Sequence, residues 1–300
     1  MFIFTNDKGG LFCMRKNLLL LHQIYPVSYN KISPLRTITP QLDEVVTMPT
    51  KQLQQLLRTS FIQAQNIQHY MRTTNYDAVV EDYHQRAINI VMYGDALYPP
   101  HLYDMYDPPA ILYVKGNETL LKRRKVAIIG SREATQYSQD VINWLVPACR
   151  DANMTIVSGL ARGADTMAHL AAMATQATTI AVLGHGLQHM YPPEHRALAE
   201  QMSTQQLLLT EYPYHVAPQR WHFPMRNRII SALSDAVVVT EAAKKSGTMS
   251  TVDYALAHGK DIYALPGNIF SKLSEGPNAL IAEGATPLLS LEHATFLQHL

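Results

Sequence analysis

Short apolar runs alternate with amphipathic stretches along the C-terminal two thirds of the chain. The runs fall at 126–129, 155–157, 179–183, 207–209, 236–239 and 262–265, and nearly every position within them is apolar. A strand without a polar side is covered on both faces. Between the runs, apolar residues recur at helical spacing near 138–150, 164–175, 194–203, 225–233 and 249–258. Alternation of this kind predicts an α/β architecture with a parallel sheet and helices on both sides. Ligands of such sheets bind at the carboxyl ends of the strands.

The first part of the chain has a different texture. Leu53, Leu56 and Leu57, then Phe61, Ala64 and Ile67, recur near helical spacing, and prolines at 26, 34, 40 and 49 punctuate short helices. Residues 88–116 lead into the sheet through a strand at Ile88–Val91, two proline turns and a strand at Ile111–Val114. The predicted division is a 1–14 extension with no assigned function, a small helical domain at 15–87 and the sheet domain at 88–300. The helical domain reads equally as a packing or dimer-contact module and as a binding one.

Charge sharpens the picture by what it fails to supply. With 25 Lys and Arg against 24 Asp and Glu, the formal net charge is only +1. Any affinity for nucleic acid must come from where individual arginines sit. Cys13 and Cys149 form no close-spaced motif, which fits a reducing cytoplasm and argues against a disulfide scaffold or a cysteine zinc site. No segment approaches the roughly 20 continuous apolar residues of a membrane span. The opening Met1–Cys13 is broken by Asn6, Asp7, Lys8, Gly9 and Gly10, so it lacks a signal-peptide core, and Met14-Arg15-Lys16 reads as an alternative start.

Candidate chemistry lies where the runs end. Val126–Ile129 leads into Gly130-Ser131-Arg132. Glycine there lets backbone approach a ligand, Ser131 is placed to cap the next helix, and Arg132 adds charge at that helix's positive end, a corner suited to phosphate. The same grammar returns at Thr155–Gly159, followed by Leu160-Ala161-Arg162-Gly163-Ala164-Asp165. Arg132 and Arg162 are thus either phosphate contacts or members of surface ion pairs.

A second cluster, Gln219–Arg228, interleaves Arg220, Arg226 and Arg228 with Trp221 and Phe223. Cations beside aromatic faces suit single-stranded nucleic acid, although Phe223 also fits a core and Arg228 also fits an internal carboxylate. A third, Lys245-Ser246-Gly247-Thr248, offers hydroxyls and amides at a helix start and a lysine beside it, without the full phosphate-loop pattern. His185, His189 and His195 occupy a Gly- and Pro-broken loop, so no metal site is predicted there. Asp165 and His169, four apart on a predicted helix, are expected to bond each other inside the fold. No dinucleotide fingerprint is present, and no cofactor is predicted.

Taken together, these segments resemble the DNA-processing protein DprA (Smf) family, across about residues 88–290. The resemblance is carried by Ile129-Gly130-Ser131-Arg132, by Val157–Asp165 with Ala168-His169, by Thr179–Gly184, by Tyr191-Pro192 and by Glu211-Tyr212-Pro213. It continues through Phe223–Ile230, Lys245–Thr248, Ala264–Gly267 and Gly276–Ile281. It implies an extended Rossmann-like, mostly parallel sheet with a small N-terminal SAM-like domain. It further implies a cytoplasmic dimer that binds single-stranded DNA, protects it during natural transformation and loads the recombinase RecA. Arg132, Arg162, Arg226 and Lys245 would then touch phosphates with Ser131 beside them, and Arg220 and Phe223 would supply a cation and a stacking ring. Departures from the family pattern include Ser138, Asn153 and Ala177 in place of glycines, and His195 in place of asparagine. The alternative is a nucleotide-processing enzyme of the lysine-decarboxylase-like phosphoribohydrolase type, whose P-G-G-x-G-T-x-x-E signature has no counterpart at Lys245–Thr251.

Overall fold

The computed structural model describes residues 8–290. Two compact units divide the chain: the residues up to Ala96 with Tyr106–Tyr113, and Leu97–Met105 with the residues from Val114 onward.

The first unit holds α1 (Lys8–Ile24), α2 (Tyr29–Ile38), α3 (Thr50–Leu57), α4 (Phe61–Thr73), α5 (Tyr76–Gln85) and β1 (Asn89–Met92). Leu18, Leu19, Leu20 and Leu21 are all buried, so the middle of α1 is apolar on every side. Ser60 and Asn75 start α4 and α5 by accepting backbone N–H bonds from Gln63 and from Asp77 and Ala78. Pro26, Pro40 and Pro49 fall outside helices as expected, but Pro34 lies within α2. The proline forfeits the bond to the carbonyl four residues back, while buried Ile32 and Leu35 beside it keep that turn packed.

Strand β2 (Ile111–Gly116) carries the chain from the first unit into the second. The second unit then runs β3 (Lys125–Ile129), α6 (Gln136–Asp151), β4 (Thr155–Ser158), α7 (Ala164–Ala174), β5 (Thr178–Leu183), α8 (Arg196–Gln205) and β6 (Leu207–Thr210). It continues through α9 (His222–Leu233), β7 (Ala236–Val239), α10 (Gly247–Ala257), β8 (Asp261–Ala264), α11 (Glu275–Ala282) and β9 (Thr286–Pro287). Every predicted strand and helix of this unit is present within a few residues of its expected place. The order β6-β5-β4-β3-β7-β8-β9 is parallel at each pairing among the described residues. All residues of β3, β4, β6 and β7 are buried, which is why their sequences carry no alternation.

Strands β4, β5 and β6 add outward from β3 in one direction, and β7, β8 and β9 in the other. Between β3 and β7 the winding therefore reverses. Right-handed crossovers place α6 and α7 on one face and α9 and α10 on the other. At that reversal the connections after β3 and β7 pass to opposite faces of the sheet, and ligands of such sheets bind in the crevice at the carboxyl ends of the strands there. Among the described residues no helix is long and apolar enough to cross a membrane.

Candidate nucleic-acid interface

Three loops are stitched together at that crevice. The Ser131 N–H donates to the Glu241 carbonyl across 2.6 Å, and the Ser131 carbonyl accepts from Ala164 N at 3.1 Å. The loops after β3, β7 and β4 thus share one residue. Gly163 makes the approach possible: its φ is +72°, and a Cβ there would press on the Ser131 and Arg132 backbone. Beneath them the Glu241 carboxylate, almost fully buried, accepts from Thr135 N at 2.7 Å and from Ser138 Oγ at 2.7 Å.

These contacts correct one expectation. Ser131 does not cap α6. Its Oγ accepts from Glu133 N at 3.0 Å in a local turn, and Thr135 is the capping residue, accepting from Tyr137 N. Three residues separate Arg132 from the first residue of α6, so its charge stands on a loop. The helix end that does face the crevice is that of α10, where Ser246 precedes Gly247. Thr248 Oγ1 donates to the Gly130 carbonyl at 2.9 Å and fixes α10 against β3. Ser246 Oγ is buried without a partner among the described residues.

The result is a groove of about 570 Å³. It is lined by Gly130, Ser131, Arg132 and Glu133 after β3, by Arg220, Phe223, Arg226 and Asn227 from α9 and the turn before it, and by Ser246–Thr248 at the start of α10. Arg132 and Arg220 are exposed and have no carboxylate partner among the described residues. Phe223 packs against Tyr191, with ring centroids 5.2 Å apart. Of the predicted site residues, Ser131, Arg132, Arg220, Phe223 and Arg226 come together here. Arg162 lines a smaller adjoining cavity with Tyr191, Pro192 and Phe223, and its Nε donates to Glu194 Oε1 at 2.5 Å. Lys245 stands exposed on the loop before α10, outside the groove lining. Tyr191, which lines both cavities, is not among the predicted site residues; its signal in the sequence is the Tyr-Pro-Pro turn.

Arg226 belongs to the groove differently from Arg132. It is 4% exposed and donates to the carbonyls of Gly159 and Val182. It thereby ties the end of β4 to β5 from beneath the groove. A Cβ on Gly159 would strike its guanidinium, so glycine is what admits the arginine. Burial lowers its pKa to about 10, with Asp165 opposing that shift, so it stays cationic at neutral pH. Arg228, two residues on, is paired with buried Glu211, the internal role the sequence left open.

A family assignment fits this geometry. The family described as DNA recombination-mediator protein A matches residues 89–298. The chain belongs to that family. The DNA processing protein DprA of Bacillus subtilis is 43% identical over 215 residues, covering 71% of this chain and 72% of its own. The Streptococcus pneumoniae protein of the same name is 41% identical over 191 residues, covering 64% of this chain and 67% of its own. The solved structure of DprA from Streptococcus pneumoniae has a TM-score of 0.76 at 31% identity and covers 98% of each chain. DNA processing protein A from Helicobacter pylori, solved to describe a single-stranded DNA binding mode, has a TM-score of 0.64 at 30% identity over 71% of this chain and 94% of its own.

The departures from the DprA pattern are accommodated locally. Asn153 holds the left-handed conformation a glycine would take, with φ of 55°, which asparagine tolerates better than most residues. Ser138 joins the Glu241 network. His195 Nδ1 donates to the Leu160 carbonyl at 2.9 Å, bracing the loop after β4. His185 does similar work: its Nδ1 donates to the Gly186 carbonyl at 3.0 Å and its Nε2 accepts from Tyr191 N at 3.3 Å. Burial holds its pKa below the ordinary histidine value, which keeps that acceptor available.

The expected Asp165–His169 bond is not formed. Asp165 turns to the N–H groups of Gly159 and Ala161 at 3.1 and 3.3 Å. His169 Nδ1 instead shares a 2.7 Å bond with Thr179 Oγ1. Burial lowers the His169 pKa to about 3 and raises that of Asp165. The signs differ in effect. The unfolded chain protonates this histidine near pH 6.5, so its contribution to stability is whole above that pH. Below it, the contribution falls by up to about 1.4 kcal/mol per pH unit until pH approaches 3. Asp165 acts oppositely and offsets part of the loss within the carboxylate range. The urea midpoint of the parent is expected to fall between pH 6.5 and 4.5, and His169→Gln to flatten that fall. Parallel profiles for the two proteins would remove His169 as the cause.

Proposed function

We propose that this chain binds single-stranded DNA along the groove, shields it and loads RecA recombinase onto it during natural transformation. In this reading it acts as a cytoplasmic homodimer and catalyses no reaction. The observation that carries the reading is that Arg132 and Arg220, both exposed and without a carboxylate partner among the described residues, line one groove together with the aromatic face of Phe223. Free cations meet phosphates while the ring accepts a base. The Helicobacter relative's single-stranded DNA binding mode supports the choice of ligand. Side chains near the floor that are capable of chemistry are committed to structure: Ser158 Oγ donates to the Ile128 carbonyl at 2.7 Å, and Asp165 and His169 are engaged as described.

Purified protein is expected to bind oligo-dT more tightly than a duplex of equal length, and to shorten the lag of RecA's DNA-dependent ATP hydrolysis on protein-coated single strands. A normal lag despite tight oligonucleotide binding would sink the loading role and leave the binding role intact.

Arg162 yields a further expectation. Its pair with Glu194 is exposed on both sides, and such pairs contribute little. A phosphate and Glu194 therefore compete for one guanidinium. Glu194→Gln should raise oligo-dT affinity roughly threefold and steepen its salt dependence, by up to about 0.7 in the log–log slope for one added contact. Unchanged affinity would place Arg162 off the strand's path.

A further inference from the structure

We propose that Trp221 is a second base-stacking platform, engaging a nucleotide just outside the groove that Phe223 serves. The proposal rests on the single-stranded DNA reading above and extends its site. Trp221 is 63% exposed, an unusual state for the residue type with the largest apolar surface. It lies between Arg220 and Phe223 in sequence but is not part of the groove lining. It is nevertheless held in place. Its ring meets His222 edge-on, with centroids 4.0 Å apart and planes at 76°. His222 is itself buried, stacked on Tyr212 at 4.0 Å and 27°, with Nδ1 3.2 Å from the Gly184 carbonyl. An exposed indole is thus mounted on a buried aromatic stack, so little side-chain freedom remains to be lost when a base arrives.

Helical geometry separates the two platforms. Trp221 is the residue before α9 and has helical backbone angles, φ −77° and ψ −15°. Positions i and i+2 of a helix project about 200° apart, at 3.6 residues per turn. Trp221 and Phe223 therefore cannot clasp the same base from two sides. A strand leaving Phe223 must pass Arg220 at the helix start before it reaches the indole. The order ring, cation, ring along that path matches the order base, phosphate, base along a single strand. A duplex keeps its bases stacked and would find no use for it.

The test uses intrinsic fluorescence beside anisotropy with labelled oligo-dT. The second tryptophan, Trp144, packs against the core beside β3 and β4 and provides the background. Binding is expected to quench the parent's emission with the same midpoint as the anisotropy change. Trp221→Phe should keep most of the affinity and lose most of the quench. Trp221→Ala should bind about tenfold more weakly, with an unchanged log–log salt slope because no charge has been removed. A parent that binds without quenching, or a Trp221→Ala variant as tight as the parent, overturns the platform and leaves the DNA reading standing. A parent that does not bind oligo-dT at all overturns both.

Discussion

Arg132→Glu is expected to bind single-stranded oligo-dT at least tenfold more weakly than the parent while melting within about 2 °C of it. The two halves of that expectation have separate causes. Arg132 is exposed on the loop after β3 and has no carboxylate partner among the described residues, so its loss disturbs no internal bond. Surface substitutions of this kind usually stay within about 0.5 kcal/mol, which for a unit of this size is a degree or two. A hydrogen bond from a charged donor to phosphate contributes roughly 1.5–3 kcal/mol, and reversal adds repulsion to that loss. Affinity by anisotropy and melting by calorimetry on the same preparation check both halves. Equal affinities, or a large drop in melting temperature, would take Arg132 out of the interface.

Arg226→Met should behave in the opposite way. The guanidinium is buried, bonded to the carbonyls of Gly159 and Val182, and Asp165 is the carboxylate that sustains its charge. Removing a buried cation frees two carbonyls and leaves the nearby buried carboxylate with its desolvation penalty, a loss on the order of 3 kcal/mol. The melting temperature should fall by roughly 10 °C or more. The Asp165 pKa, already raised by burial, rises further without its cation, so the variant's folded state takes up a proton more readily. The stability gap to the parent should therefore narrow as the pH is lowered below neutrality. Adding Asp165→Asn to Arg226→Met should recover part of the loss at pH 7. A gap that stays constant with pH, or a double variant no better than the single, would show that Asp165 is not the group left stranded.

The contrast between these arginines marks where sequence reading stops. Both lie in motifs that point to phosphate, and nothing in the spacing separates them. The difference is tertiary: the turn with Gly130 lifts Arg132 into solvent, whereas α9 lies beneath the loop ends and takes Arg226 with it. The strands were legible because the sheet is covered on both faces, which leaves continuous apolar runs. The Arg162–Glu194 pair was not legible, because its partners are 32 residues apart and meet only through the loop before α8. The sequence reading predicts no element beyond 265, yet α11 forms there. Pro277 does not interrupt it, because it occupies the first turn of α11, where a missing N–H carries no penalty. Ser131 and Thr135 are both capping residue types, and only the structure shows that α6 begins after Thr135.

Under the proposed function, unpaired cations at the crevice between β3 and β7 hold the phosphates of an unpaired strand. Salt titration of oligo-dT binding, run beside a duplex of equal length in the parent and in Arg132→Ala, tests it most directly. The expected result is a steep linear fall of log affinity with log salt for the single strand, tighter binding than to duplex at every salt concentration, and a slope shallower by about 0.7 in Arg132→Ala. Equal affinity for duplex, or a slope the variant leaves unchanged, would contradict it.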